Sequence, residues 1–142
     1  MTQIVVGYDG SGCSDAALDA AVGLAKDLGD GVTVVFGYAP PGLWGGEIAE
    51  HEEAIEELGT KLMAEASRRA AEHGLEVEVE MVAKRGTEAL IEVAERRDAR
   101  LIVVGSHGDP PLKGFILGST PNKLLHLSER PVLVVPPGPR ND

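Results

Sequence analysis

The chain has 142 residues, one cysteine, and 13 Lys plus Arg against 23 Asp plus Glu, for a formal net charge of −10. A chain of this length buries about 70 % of its unfolded surface on folding, enough for one core but thin for two, so residues 1–142 are expected to form a single domain. The acidic excess opposes binding to nucleic-acid backbones and to anionic membrane surfaces, while leaving room for a small anion site built from backbone N–H groups. A lone Cys13 excludes an internal disulfide and a cysteine-based metal cluster, and His51, His73, His107 and His126 show no HxH or HxxxH spacing, so no protein-held metal is expected. The start MTQIVVGYDG has neither the basic nor the apolar region of a signal peptide. Aliphatic runs last about four residues against the ~18 that span a bilayer, and a cytoplasmic protein is the expectation.

Short β-branched runs alternate with helical patterns along the chain. Ile4-Val5-Val6 ends at the turn-rich stretch Gly7-Tyr8-Asp9-Gly10-Ser11-Gly12. Ala17, Leu18, Ala21, Val22, Ala25 and Leu28 then recur at i, i+3/i+4 and stop at Gly29, as in a helix closed by a C′ glycine. Val32 to Phe36 reads as a strand covered on both faces. Ala39 to Gly46, which contains Trp44, is too rich in Pro and Gly for regular structure.

A long acidic helix follows, with Ile55, Leu58, Leu62 and Ala66 on one stripe, a solvated face at Glu52, Glu53, Glu56 and Glu57, and Gly74 as its stop. Glu76 to Val82 alternates strictly, with Val77, Val79 and Met81 against Glu76, Glu78 and Glu80, which predicts an edge strand with one wet side. About Thr87 to Arg97 reads as a helix burying Leu90, Ile91 and Ala94. Leu101 to Val104 and Val132 to Val135 read as fully buried strands, and a short helix is expected after Ser119. The order β-α-β-α-β-α-β-α-β predicts a doubly wound α/β fold, a parallel sheet with helices on both faces.

In such sheets ligands sit beyond the carboxyl ends of the strands, where strand order reverses. Two strands run into small polar residues there: Asp9-Gly10-Ser11-Gly12 after the first, and Gly105-Ser106-His107-Gly108 after the fourth. Nine residues past Gly108, Gly118-Ser119-Thr120-Pro121 opens a helix. Ser119 or Thr120 can cap it, Pro121 suits its first turn, and its free N–H groups make an anion site to which Lys113 adds charge. Each glycine taken singly is most simply a turn residue; the combined spacing carries the specificity.

That spacing resembles the G-x2-G-x9-G-[S/T] pattern of the nucleotide-binding universal stress proteins, matched without insertion by Gly105, Gly108, Gly118 and Ser119. The resemblance extends to IVVGYDGS at the start, LIVVGSHG in the middle and PVLVVPPG at the end. It implies a five-stranded sheet in the order 3-2-1-4-5, with the first and fourth strands adjacent. It also implies an adenine-nucleotide site, for ATP or else ADP or AMP, formed by Gly7, Asp9, Gly37, Val104, Gly105, His107, Gly108, Gly118, Ser119 and Thr120. In that site Asp9 lies beside the adenine, and the main chain near Gly37 contacts the base where relatives carry a branched aliphatic residue. Thr120 replaces a frequent Val, and Arg100 replaces a common Asp outside the crevice.

A polyphosphate approaching a chain of charge −10 is expected to bring Mg²⁺ or Mn²⁺ with it, held mainly by phosphates and water. The resemblance further implies a two-fold homodimer through Val132 to Val135. With no Walker lysine and no water-positioning acid, a regulator or sensor is expected rather than an efficient enzyme, and no catalytic residue is assigned. A slow metal-dependent ATPase and a nucleotide-free scaffold are the alternatives. An Asp9 phospho-acceptor and a pyrophosphatase-like loop at Ser11 to Asp15 fit less well: Cys13 and Ala16 break the second pattern, and Ser11 to Asp15 read as a helix cap and first turn. Cys13 itself reads as a packed thiol.

Overall fold

The structure is a computed structural model that describes residues 1–38, 48–106 and 120–137. Its strands are β1 (Gln3–Gly7), β2 (Gly31–Gly37), β3 (Glu78–Val82), β4 (Leu101–Gly105) and β5 (Val132–Val135). Its helices are α1 (Gly12–Leu28), α2 (Ile48–Glu72), α3 (Gly86–Arg96) and α4 (Thr120–Leu127). All pairings are parallel and the order is β3-β2-β1-β4-β5, as expected. No described helix is long and apolar enough to cross a membrane.

The chain steps outward from β1 to β3, then returns across β1 to β4 and steps outward the other way. Right-handed crossovers in opposite directions put their helices on opposite faces. Accordingly α1 and α2 cover one face, where Leu18, Val22, Leu62 and Ala66 pack on Ile4, Val6, Val34 and Phe36. On the other face Leu90 and Val93 of α3 and Leu124 of α4 pack on Val5, Val35, Ile102 and Val104. The central strands β1, β2 and β4 are β-branched on both faces because both faces are covered.

Helix ends follow local chemistry. Ser11 caps α1, its Oγ accepting the Ser14 N–H at 3.1 Å. Gly29 ends the helix at φ 73°, a left-handed geometry that favours glycine, and Gly74 takes up φ +85° beyond α2. Gly59 of α2 serves closeness instead: a Cβ there would lie 2.6 Å from the Met81 methyl and 2.8 Å from the Phe36 ring, so the helix rests directly on the sheet.

Three expectations need correction. β5 is not fully buried: it lies at the sheet edge, and Leu133 is 37 % exposed. Leu28 belongs to the helical stripe by spacing but stands 48 % exposed in the last turn of α1. β3 is an edge strand as read, yet its charged side is not simply wet. Arg96 and Arg97 at the end of α3 close over Glu80, with Arg97 Nε 2.6 Å from its Oε2, while Val79 on the apolar side is 41 % exposed. Arg100 lies away from the crevice as expected, at the amino ends of the strands, gripping the buried Asp30 at 2.6 Å and donating its N–H to the Gln3 carbonyl.

Leu18→Ala is expected to cost about 2–5 kcal/mol in urea unfolding, because its side chain is fully buried. Leu28→Ala, at a position of equal periodicity but half exposed, is expected to cost less than about 1 kcal/mol.

Candidate functional site

The reversal of strand order falls between β1 and β4. Val6 pairs with Val103, so one further step of the register sets Gly7 level with Val104, and Asp9 follows just beyond the sheet. Gly105 ends β4 and pairs with Val135 of β5. A Cβ on Gly105 would sit 2.7 Å from the Cys13 carbonyl carbon and 2.7 Å from its Cβ. The glycine therefore admits the first turn of α1 against the end of β4, a packing reason rather than a ligand-contact reason for that residue. Cys13 is a buried thiol at this contact, its Sγ 3.8 Å from Ser106 Oγ.

Between the ends of β1 and α1 lies a closed set of hydrogen bonds. The Ser11 N–H donates to Asp9 Oδ1 at 2.9 Å, and the Asp9 N–H donates to Ser14 Oγ at 3.3 Å. Ser14 Oγ in turn donates to the Ser11 carbonyl at 3.0 Å. Asp9 is 1 % exposed, and its second carboxylate oxygen, Oδ2, is buried with no hydrogen-bond partner among the described residues. Buried polar atoms are almost always satisfied by protein or by ordered water, so this orphan calls for an explanation. Gly10 in this turn has φ +83°, and a Cβ there would meet Leu62 of α2 at 2.7 Å, so the loop is pinned from above as well.

Tyr8 faces the other way, into the core under α2. Its hydroxyl donates to Asp15 Oδ1 at 2.7 Å. Burial first, then that hydrogen bond and the negative charge of Asp15, hold the phenol well above its ordinary range. Arg69 of α2 lies 3.9 Å from Asp15 and grips Asp19 through both carboxylate oxygens at 2.9 and 2.8 Å, so the same polar chain ties α2 to α1.

Of the residues singled out from sequence, Gly7, Asp9, Gly37, Val104 and Gly105 lie at the carboxyl ends of β1, β2 and β4, and Thr120 is the buried first residue of α4. His107, Gly108, Gly118 and Ser119, with Lys113 and Trp44, lie outside the described residues. Gly37 has a structural reason of its own: a Cβ would meet the Lys84 carbonyl oxygen and the Ala89 Cβ, each at 2.8 Å, so a branched residue there would displace the start of α3. The Ser14 hydroxyl was read only as part of a first helical turn. The signal for its further bond was the S-x-x-S spacing that sets Ser11 and Ser14 on one side of that turn. Among the described residues, no three His, Cys, Asp or Glu side chains converge as metal ligands.

A doubly wound sheet with small-residue turns at its switch point defines a class of proteins that take ligands at strand ends. Within it, residues 1–136 match the model of the universal stress protein family, and the chain belongs to that family. It is 32 % identical to Universal stress protein YxiE of Bacillus subtilis, over 94 % of this chain and 97 % of that protein. A universal stress protein solved in complex with cAMP is 28 % identical, covers 94 % of this chain and 96 % of its own, and superposes with a TM-score of 0.71. Universal stress protein UspA from Lactobacillus plantarum, 20 % identical with coverage of 94 % and 97 %, shares the fold at a TM-score of 0.79.

The raised Tyr8 value has a definite sign. The folded state favours the neutral hydroxyl, so its contribution is complete below the ordinary phenol value of 10.0 and is lost as pH rises beyond it. Tyr8→Phe, which cannot ionise, is expected to lose less stability than the wild type over that alkaline range, measured as urea midpoints on either side of it.

Proposed function

We propose that this chain binds an adenine nucleotide, ATP first and ADP or AMP as related ligands, and acts as a stress-response regulator that responds to it. The observation that carries the reading is the buried, unpartnered Oδ2 of Asp9 beside the switch point. An acceptor of this kind calls for a neutral donor such as an exocyclic amine or a sugar hydroxyl. The relative solved with cAMP supports the ligand class. In this reading Gly7, Asp9, Gly37 and Val104 take the nucleoside end, and Gly105, His107, Gly108, Gly118, Ser119 and Thr120 take the ribose and phosphates. Backbone N–H groups at a helix start favour phosphate despite a chain charge of −10. Mg²⁺ or Mn²⁺ enters on the phosphates, which supply its oxygen ligands.

The working unit in this proposal is a two-fold homodimer joined through β5. An edge strand offers unpaired backbone groups, and the partly exposed Leu133 of β5 adds apolar surface to it.

Calorimetry with ATP and magnesium tests the ligand. Asp9→Asn keeps the shape but puts an amide where the acceptor stood, and is expected to weaken ATP roughly 10- to 100-fold, the loss of a charged hydrogen bond of about 1.5–3 kcal/mol. Unchanged affinity would remove Asp9 from the site, and chelation of the metal is expected to weaken ATP more than adenosine.

Sedimentation at micromolar concentration tests the assembly. The wild type is expected to sediment as a dimer and Leu133→Asp as a monomer; a wild-type monomer refutes the β5 interface.

A further inference from the structure

The two oxygens of the Asp9 carboxylate are in different states: Oδ1 accepts the Ser11 N–H at 2.9 Å, and Oδ2 has no donor. A carboxylate torsion is broad and nearly two-fold, so one hydrogen bond to Oδ1 holds the group only as well as the backbone on either side is held. That backbone is held by Ser14. Its fully buried hydroxyl accepts the Asp9 N–H at 3.3 Å and donates to the Ser11 carbonyl at 3.0 Å, bridging both ends of the turn from Asp9 to Ser11. The helix cap needs only the Ser14 N–H on Ser11 Oγ, at 3.1 Å. The bond from Asp9 to the Ser14 hydroxyl is additional to the cap, and it reaches the residue that carries, among the described residues, a buried side-chain oxygen with no partner.

We propose, resting on the nucleotide-binding reading above, that Ser14 is a positioning residue that sets ligand selectivity through Asp9. By fixing the turn from Asp9 to Ser11 it keeps Oδ2 as an acceptor-only group. Oδ2 then admits a nucleotide bringing an N–H or O–H donor and rejects one that presents an acceptor or nothing at that point. Discrimination follows because Oδ2 is already buried and unpaired without ligand: a donor relieves that state, a facing acceptor is repelled by the carboxylate, and a ligand with neither gains nothing there. The donor is an exocyclic base amine or a ribose hydroxyl, and the ligands chosen below separate the two.

The test is calorimetry with magnesium and ATP, ITP, 2′-deoxy-ATP and 3′-deoxy-ATP. It compares the wild type, Ser14→Ala, Asp9→Asn and the double variant, with hydrogen exchange on the ligand-free proteins. The wild type is expected to prefer ATP by roughly tenfold or more over the analogue lacking the matching donor. Ser14→Ala is expected to shrink that ratio at least about threefold, and to change ATP affinity less than about twofold when added to Asp9→Asn. Equal weakening of all four ligands by Ser14→Ala, or effects of the two substitutions that multiply, overturns the proposal in favour of a merely structural serine.

Exchange reports on the positioning without ligand. The Asp9 and Ser11 amides are expected to be protected in the wild type and to exchange roughly tenfold faster in Ser14→Ala, as loss of a buried hydrogen bond requires. Unprotected amides in the wild type overturn the positioning role by themselves. A wild type that binds none of the four ligands overturns the nucleotide reading, and the selectivity with it, whatever the exchange shows.

Discussion

The pairing of β1 with β4 is the constraint on which the remaining features depend. These strands are neighbours although two strands and three helices separate them in the chain, and the helices that follow them, α1 and α4, pack on opposite faces of the sheet. The strand order reverses between them, the arrangement that leaves a gap at the carboxyl ends of such strands. The contact is tight. Gly105 lets the first turn of α1 rest on the end of β4, and Gly10 lets Leu62 of α2 press on the turn after β1. Small residues at these places serve to bring elements together.

Within the gap, one carboxylate is held under unequal conditions. A buried charge is tolerated when hydrogen bonds surround it, and Asp9 has a donor on one oxygen only. The neighbouring serines spend their bonding on the backbone of the turn rather than on the second oxygen, which keeps the group in place without satisfying it. Local dipoles of this kind act over a few ångströms, where they outweigh the diffuse field of a chain with net charge −10.

Much of the fold was legible because covered strands and amphipathic helices leave different periods in a sequence. Val32 to Phe36 and Leu101 to Val104 were continuous because both faces are packed, and Gly29 and Gly74 marked helix ends through their left-handed geometry. Val132 to Val135 misled for a physical reason: four apolar residues carry no alternation, so a buried strand and a half-buried edge look alike. Leu28 kept the helical spacing but stands half exposed in the last turn of α1, which spacing alone does not reveal. The charged side of β3 found arginines from α3, a partnership between segments 16 to 19 residues apart that periodicity does not encode. In the site, Asp9 and Gly105 were legible as turn residues after strands. The Ser14 hydroxyl was not, because its bond to Asp9 exists only once the turn has folded back on the helix.

By itself the sequence determined the element types, their order and the ends of the helices, since each is a property of neighbouring residues. The family's strand order followed from resemblance, not from periodicity. Only the tertiary structure decided which glycines are required by close approach, which apolar positions stay uncovered, and that Asp9 keeps one buried oxygen without a donor. Those are relations between atoms from different elements, and packing and hydrogen bonding create them only after the chain has closed upon itself.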